Sequence, residues 1–304
     1  MIEDLEREFP EISRLGLARP RVSCEPILPA FLSALGAGFV AGGIVGILVD
    51  VLWPVLVPPT QPHPEWLIPF AVTRAAQLVA VGAVALRVGG VATLALCVGY
   101  EAAFVLAGLP GRIAICDRLG PSPEFPCSPS APAAMVVGTW PTWVAIAVGA
   151  LGSRRLLPSA TPGSNTLLRA AGAFTLIVSV AGAAFGLLEM FVLHDVLAPV
   201  DHDPQGIGLS VQVGLSTTWL VIELVAGLAA GVLLRRAPPA AVVLLALVVA
   251  YGIGLGLSQL RYGLAAVPNA TLGQAYLMSN LVLAPAAGVL GIAMGRLVAG
   301  RGSG

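Results

Sequence analysis

The chain has 304 residues, 57% of them hydrophobic and only 11% charged, with a mean hydropathy of +0.91. Soluble domains carry about 25% charged residues, so a water-facing globule is excluded, and so are a disordered chain, a collagen and a secreted disulfide scaffold. The basic residues are all arginine and balance the acidic ones to a net charge of zero; no nucleic-acid partner is expected, because binding one needs a basic surface that displaces counterions.

Residues 1–27 are the longest polar stretch at either end. Ile2, Leu5, Phe9, Ile12 and Leu15 recur at helical spacing with Glu3, Asp4, Glu6, Glu8 and Glu11 between them. This predicts a short amphipathic segment on the membrane surface or against a partner; a solvated tail is the alternative. The acidic start has no cationic region before a short apolar core, so a signal peptide is not expected.

Eight apolar segments follow, near 28–56, 66–88, 90–110, 133–152, 167–193, 208–234, 240–262 and 275–298. Each approaches the ~20 residues that cross a bilayer as a helix. The predicted fold is therefore all-α: a polytopic membrane bundle of about eight helices, with a six-span variant left open. Arg14, Arg19 and Arg21 precede the first segment, and Arg87 separates the second from the third. Arg154, Arg155 and Arg169 lie between the fourth and fifth, Arg235 and Arg236 between the sixth and seventh, and Arg296 and Arg301 after the eighth. Alternating helices put all of these on one side, which the positive-inside rule makes cytoplasmic, together with both termini, in a plasma-membrane protein.

The two halves of the chain resemble each other. The stretch from Val40 to Leu48 aligns with that from Val180 to Leu188, Pro59 and Pro64 with Pro199 and Pro204, Leu94–Tyr100 with Leu245–Tyr251, and Pro141 lies near the depth of Pro285. Shared Gly, Pro and Tyr positions in order point to an internal duplication. The predicted organisation is a lead segment 1–27, a first four-helix repeat 28–152, a linker 153–166, a second repeat 167–298 and a tail 299–304. Four helices per copy give both copies the same orientation, unlike the inverted repeats of many transporters. Small residues four apart (Gly38, Gly42 and Gly46; Gly182 and Gly186; Gly227 and Gly231; Gly291 and Gly295) mark surfaces where helix backbones approach closely.

Five ionisable residues fall inside the apolar segments: Asp50, Arg74, Glu101, Glu189 and Glu223. Each costs about 2.5–3.5 kcal/mol at the bilayer centre on insertion scales, so these five form the candidate intramembrane polar site. One expectation is structural, with Arg74 pairing with Glu223 or Asp50 and tying one half to the other. The other is a polar track from the outer face to mid-membrane that carries a proton, a cation or a polar substrate group. Cys116 and Cys127 lie among prolines in an outer loop, where an oxidising compartment favours a disulfide. Such a bridge stabilises a loop of this size by roughly 2–3 kcal/mol.

His63, His194 and His202 stand near acidic residues on the same side, but no metal-ligand spacing links them, and no metal or cofactor is expected. The chain has no P-loop, no G-x-S-x-G and no paired nucleophile and base, so it is not expected to be an enzyme. The leading functional expectation is a non-catalytic structural or interaction subunit. Its partners would be the lipid bilayer and either other membrane proteins or a second copy of itself. The alternative is a permease for an ion or small molecule, with its site between the two halves.

Overall fold

The computed structural model describes residues 26–56, 67–119, 140–156, 164–188, 207–266 and 282–301. Among the described residues every regular element is a helix. In chain order they are α1 (Ile27–Leu56), α2 (Leu67–Val84), α3 (Gly90–Leu119), α4 (Trp140–Leu156), α5 (Ser164–Leu188), α6 (Ile207–Leu233), α7 (Pro239–Ala266) and α8 (Ala284–Arg301). A π-helical turn, Ala85–Gly89, extends α2, and a 3₁₀ turn, Leu234–Arg236, extends α6. The elements follow the apolar segments because a helix satisfies its backbone N–H and C=O groups internally, as lipid requires. The expected amphipathic lead and the segments that carry His63, His194 and His202 lie outside the described residues.

The turn between α6 and α7 is written in local sequence. Ala237 is extended, with φ −76° and ψ 152°, as the residue before Pro238 must be to avoid the proline ring. Pro239 then opens α7, where its missing N–H costs nothing. Arg235 and Arg236 occupy the preceding last turn, where positive charge complements the helix dipole.

The turn between α2 and α3 is tighter. Gly90 has φ 71° and ψ −160°, and it is the only described residue with positive φ. An L-residue with a Cβ is strained in that conformation, and glycine is not. Arg74 on α2 and Glu101 on α3 are in salt-bridge contact, although 27 residues of one continuous helix would separate them by about 40 Å. The chain therefore reverses at Gly90, and α2 and α3 run side by side in opposite directions.

Three helix pairs touch backbone to backbone, each through glycines placed reciprocally. Where α1 crosses α5, a Cβ added at Gly36 would strike the Leu168 carbonyl, and one at Gly172 would strike the Leu32 carbonyl. Where α2 meets α4, Gly82 lies on the Ile146 carbonyl and Gly149 on the Val79 carbonyl. Where α6 meets α8, Gly227, Gly231, Gly291 and Gly295 lie on the carbonyls of Gly288, Ile292, Leu224 and Leu228. Lipid tails supply no hydrophobic drive between helices, so dispersion across such close contacts takes over the role of holding them together.

Two apolar clusters fill the remaining space. Phe31, Ala34, Leu35, Val81, Val84 and Cys97 join α1, α2 and α3, and the Phe31 and Tyr100 rings meet edge to face at 5.7 Å. Val40, Phe174, Ala226, Ala230, Leu245 and Ile292 join α1 to α5, α6, α7 and α8, with Phe39 and Phe174 at 5.5 Å. Helix α1 contributes to both clusters and is the common spine of the bundle.

The outer faces are apolar. Val144, Val148 and Leu151 form an exposed stripe on α4, as do Leu290, Met294 and Leu297 on α8, and Leu151 is 85% exposed. Four stretches are long and apolar enough to cross a membrane: Ile27–Leu52, Ala71–Phe104, Thr166–Phe185 and Thr217–Arg236. Shorter apolar runs, Pro239–Ile253 and Ala284–Gly300, occupy α7 and α8. Length and hydropathy thus give four qualifying stretches among the described residues where eight were expected. One physical reason is visible at Gly90, since Ala71–Phe104 is a single stretch in hydropathy and two antiparallel helices in space.

The described arginines of the sequence pattern, Arg87, Arg169, Arg235, Arg236 and Arg296, gather at one end of the bundle. Arg87, ending α2, donates to the Ser153 carbonyl near the end of α4 at 3.3 Å, and Arg296 on α8 donates to the Ala237 carbonyl at 3.1 Å. The starts of α1 and α5 share this end, because Gly89 abuts Ala30 and Leu168 abuts Gly36.

Candidate intramembrane polar site

Arg74 faces the junction of α1, α2 and α3. Its Nη2 contacts Glu101 Oε2, and its Nη1 donates to Gln77 Oε1, one turn along α2, at 2.8 Å. Glu101 is 5% exposed, whereas the Arg74 side chain keeps about a third of its surface open, 35%. The guanidinium therefore has one side on a buried carboxylate and one side toward the bundle surface. Gln77 fits because α1 presents Gly42 opposite it, where an added Cβ would come within 3.3 Å of Gln77 Cβ. Such a pair is far stronger in a low-dielectric bundle than in water, but it repays desolvation only when its remaining donors are also bonded. Gln77 supplies part of that second requirement.

Asp50 lies toward the opposite end of α1 from the arginine cluster. Its Oδ2 accepts a hydrogen bond from the Tyr251 hydroxyl on α7 at 2.8 Å, at an exposed position. The Tyr251 ring lies over Gly46, where an added Cβ would sit 2.7 Å from Cε1. Gly43, one turn earlier, receives Val248 in the same manner. The glycine spacing of α1 thus serves two neighbours: Gly38 and Gly42 open toward α2, and Gly43 and Gly46 open toward α7.

Glu223 on α6 has a different environment. Its Oε2 is buried and has no hydrogen-bond partner among the described residues. It points at Gly288 on α8, where an added Cβ would stand 2.8 Å from that oxygen, and Val249 and Phe174 border the same spot. Glu101 is closed by a cation, while Oε2 of Glu223 has no partner among the described residues.

These placements correct one sequence expectation. Arg74 pairs with Glu101, not with Glu223 or Asp50. Matching levels in two sequence segments say nothing about which neighbour a side chain faces, and here the Gly90 reversal supplied the neighbour. Glu189 lies outside the described residues, as do Cys127 and the side chain of Cys116, and with them the expected disulfide. Cys97 is a buried free thiol in the cluster around α1.

By sequence Gln77 is an ordinary polar residue of an apolar segment, and Tyr251 only a point at which the halves align. Both are direct partners of the charged residues. A usable signal existed for Gln77, since it follows Arg74 by three residues and such neighbours share a helix face. No local signal marked Tyr251 or Gly288, which come from other helices. No group of three or more His, Cys, Asp and Glu residues suited to a metal ion occurs among the described residues. Compared with protein families, with curated proteins and with solved structures, the chain finds no match.

Proposed function

We propose that the chain is a non-catalytic, multi-pass subunit of the plasma membrane. In this reading eight helices form a tandem four-plus-four bundle, with the arginine end in the cytoplasm, and the intramembrane charges set which helices pack together. The observation that carries it is the reciprocal backbone-to-backbone α1–α5 crossing. Gly36 rests on the Leu168 carbonyl as Gly172 rests on that of Leu32, a self-complementary contact of the kind that relates two copies about a twofold axis.

The other helices support the same tandem reading in consistent register. Gly82 and Gly149 meet their partner carbonyls three residues back in the opposing helix, as Gly231 and Gly295 do. That register puts Arg74 and Glu223 at equivalent positions of α2 and α6. It also pairs Val144, Val148 and Leu151 with Leu290, Met294 and Leu297, the exposed stripes of α4 and α8. The first helices pair by Gly36 and Gly172, which shifts the sequence alignment of Val40 with Val180 by four residues, about one helical turn. The exposed stripes are the faces offered to lipid, to a partner protein or to a second copy.

One observation favours a second reading, a proton or small-cation permease: one carboxyl oxygen of Glu223, Oε2, is buried without a partner among the described residues. An ionisable group in a membrane segment is by default a candidate for transport. Reconstitution separates the two. Purified protein in liposomes, loaded with a pH-sensitive dye, is compared with its Glu223→Gln variant and with empty vesicles. The subunit reading requires no flux above empty vesicles in either protein. It also requires one discrete cross-linked species when a photoreactive amino acid replaces Leu151 or Leu297 in native membranes. Proton or cation flux lost in the variant establishes the permease.

A further inference from the structure

We propose that the arginine end of the bundle is the docking surface for the chain's own acidic segment, residues 3–11. This holds for a subunit and for a permease alike. Arg87, Arg169, Arg235, Arg236 and Arg296 come together there from the ends of α2, α5, α6 and α8. Arg87 and Arg296 donate to the carbonyls of Ser153 and Ala237, which accept hydrogen bonds but carry no charge. Arg235 and Arg236 are exposed, and neither forms a hydrogen bond or an ion pair with another described residue.

Among the described residues no acidic residue lies at this end. The segments that join helices here, 85–90, 153–166 and 234–239, and the tail after Arg296 all carry arginine and contain neither Asp nor Glu. Asp50 stands toward the opposite end, with Tyr251, and Glu101 is held by Arg74. Arg235 follows Glu223 by 12 residues, about 18 Å along the helix. Asp117 stands 27 residues beyond Gly90 on α3, about 40 Å away. The acids that the sequence does place on the arginine side all precede α1: Glu3, Asp4, Glu6, Glu8, Glu11 and Glu25.

The chain that carries these acids enters at the arginine end, because α1 begins there at Ile27. Residues 1–25 lie outside the described residues, and their sequence supplies the complementary charge, five acids against Arg7 over residues 3–11. The residues 12–25 that tether the acidic run to the bundle span up to roughly 45 Å. Arg235 and Arg236 are two helices from α1, by way of α5, about 20 Å at 8–10 Å between neighbouring axes. The tether therefore reaches. Joining both partners in one chain gives an effective concentration on the order of mM, enough for exposed ion pairs that are individually weak. The membrane surface suits the segment less well. Helices that lie on it carry Lys and Arg on the polar face and are drawn to anionic lipid, whereas an acidic face is repelled. Local pairing does not use up the acids either. Arg7 and Arg14 stand three or four positions from Glu3, Asp4 and Glu11, but Glu6 and Glu8 have no arginine at either spacing.

The test uses the full-length protein in vesicles, with the photoreactive amino acid p-benzoylphenylalanine in place of Phe9 and mass spectrometry to locate the cross-link. Vesicles of phosphatidylcholine alone and of phosphatidylcholine with phosphatidylglycerol are run in parallel. The expected product is an intramolecular cross-link to the turn 234–239 or to the helix ends beside it, in both kinds of vesicle. Arg235→Glu with Arg236→Glu should lower its yield roughly fivefold, as the loss of two exposed ion pairs allows. Adding Glu6→Arg and Glu8→Arg should restore it, which a misfolded bundle would not do. Cross-links confined to lipid, to residues 12–25 or to a second chain overturn the assignment. So does a yield that ignores the charge reversal or is not restored by the swap.

Discussion

Helices α2 and α6 do the same mechanical work. Each presses its glycines onto the carbonyls of a partner, α4 in one case and α8 in the other. Each carries one ionisable residue two turns before the shared glycine contact, Arg74 before Gly82 and Glu223 before Gly231. Their surroundings differ, because α3 brings Glu101 to Arg74, whereas Oε2 of Glu223 is buried without a hydrogen-bond partner among the described residues. Packing and charge are therefore independent layers of this bundle. The glycine seams are met in both regions, and the charge is closed in only one.

Removing the closed charge gives the largest expected effect. Glu101→Ala strands Arg74 against a buried surface, and breaking a buried pair typically costs about 3–5 kcal/mol. The Arg74 side chain is about a third exposed, so an effect near the lower end, about 3 kcal/mol, is expected in thermal unfolding of the detergent-solubilised protein. The double variant Arg74→Met with Glu101→Met should recover most of that loss. A double variant as unstable as the single one would show that the pair is not an independent layer.

Enlarging a seam comes next. Gly172→Val places side-chain atoms against the Leu32 carbonyl at the α1–α5 crossing. Overpacking of this kind costs roughly 1–3 kcal/mol, read as a lower midpoint and a broader elution profile. Gly99 and Gly300 have nothing within 4 Å of an added Cβ, so Gly99→Ala should leave stability unchanged or raise it slightly, since alanine forms helices better than glycine. If Gly172→Val and Gly99→Ala behave alike, the seams do not hold the bundle.

Tyr251→Phe removes one exposed hydrogen bond to Asp50 while keeping the ring over Gly46. A loss of about 0.5–1 kcal/mol is expected, at the low end for a bond to a charged group because solvent can replace it. The smallest effect belongs to Glu223→Gln. An amide of the same shape in place of the acid should shift thermal unfolding by under ~0.5 kcal/mol.

Much of this fold was legible in the sequence because lipid makes composition decisive. A run of apolar residues in a chain without enough charge for water has to become a helix, and the described helices begin and end near the segments the sequence marks. Gly36 and Gly172 were not singled out, but the rule that small residues mark close helix contacts identified Gly227, Gly231, Gly291 and Gly295 before any contact was seen. The polar site was only half legible. The identity of the charged residues follows from their cost in lipid, but Arg74 was assigned the wrong partner because nothing local to residue 74 records that Glu101 of the neighbouring helix faces it. Tyr251 and Gly288 were invisible for the same reason.

Low charge and long apolar runs determined by themselves that this is a helical membrane bundle and that the few charges inside it matter, because the energy of a residue in lipid depends mainly on its own chemistry. Which charges meet was decided only in the tertiary structure. A single glycine at positive φ folds α3 back onto α2 and closes Glu101 on Arg74, while Glu223 on α6 keeps an oxygen without a partner among the described residues. Pairing is a property of distances between helices, and those distances are set by the glycine seams.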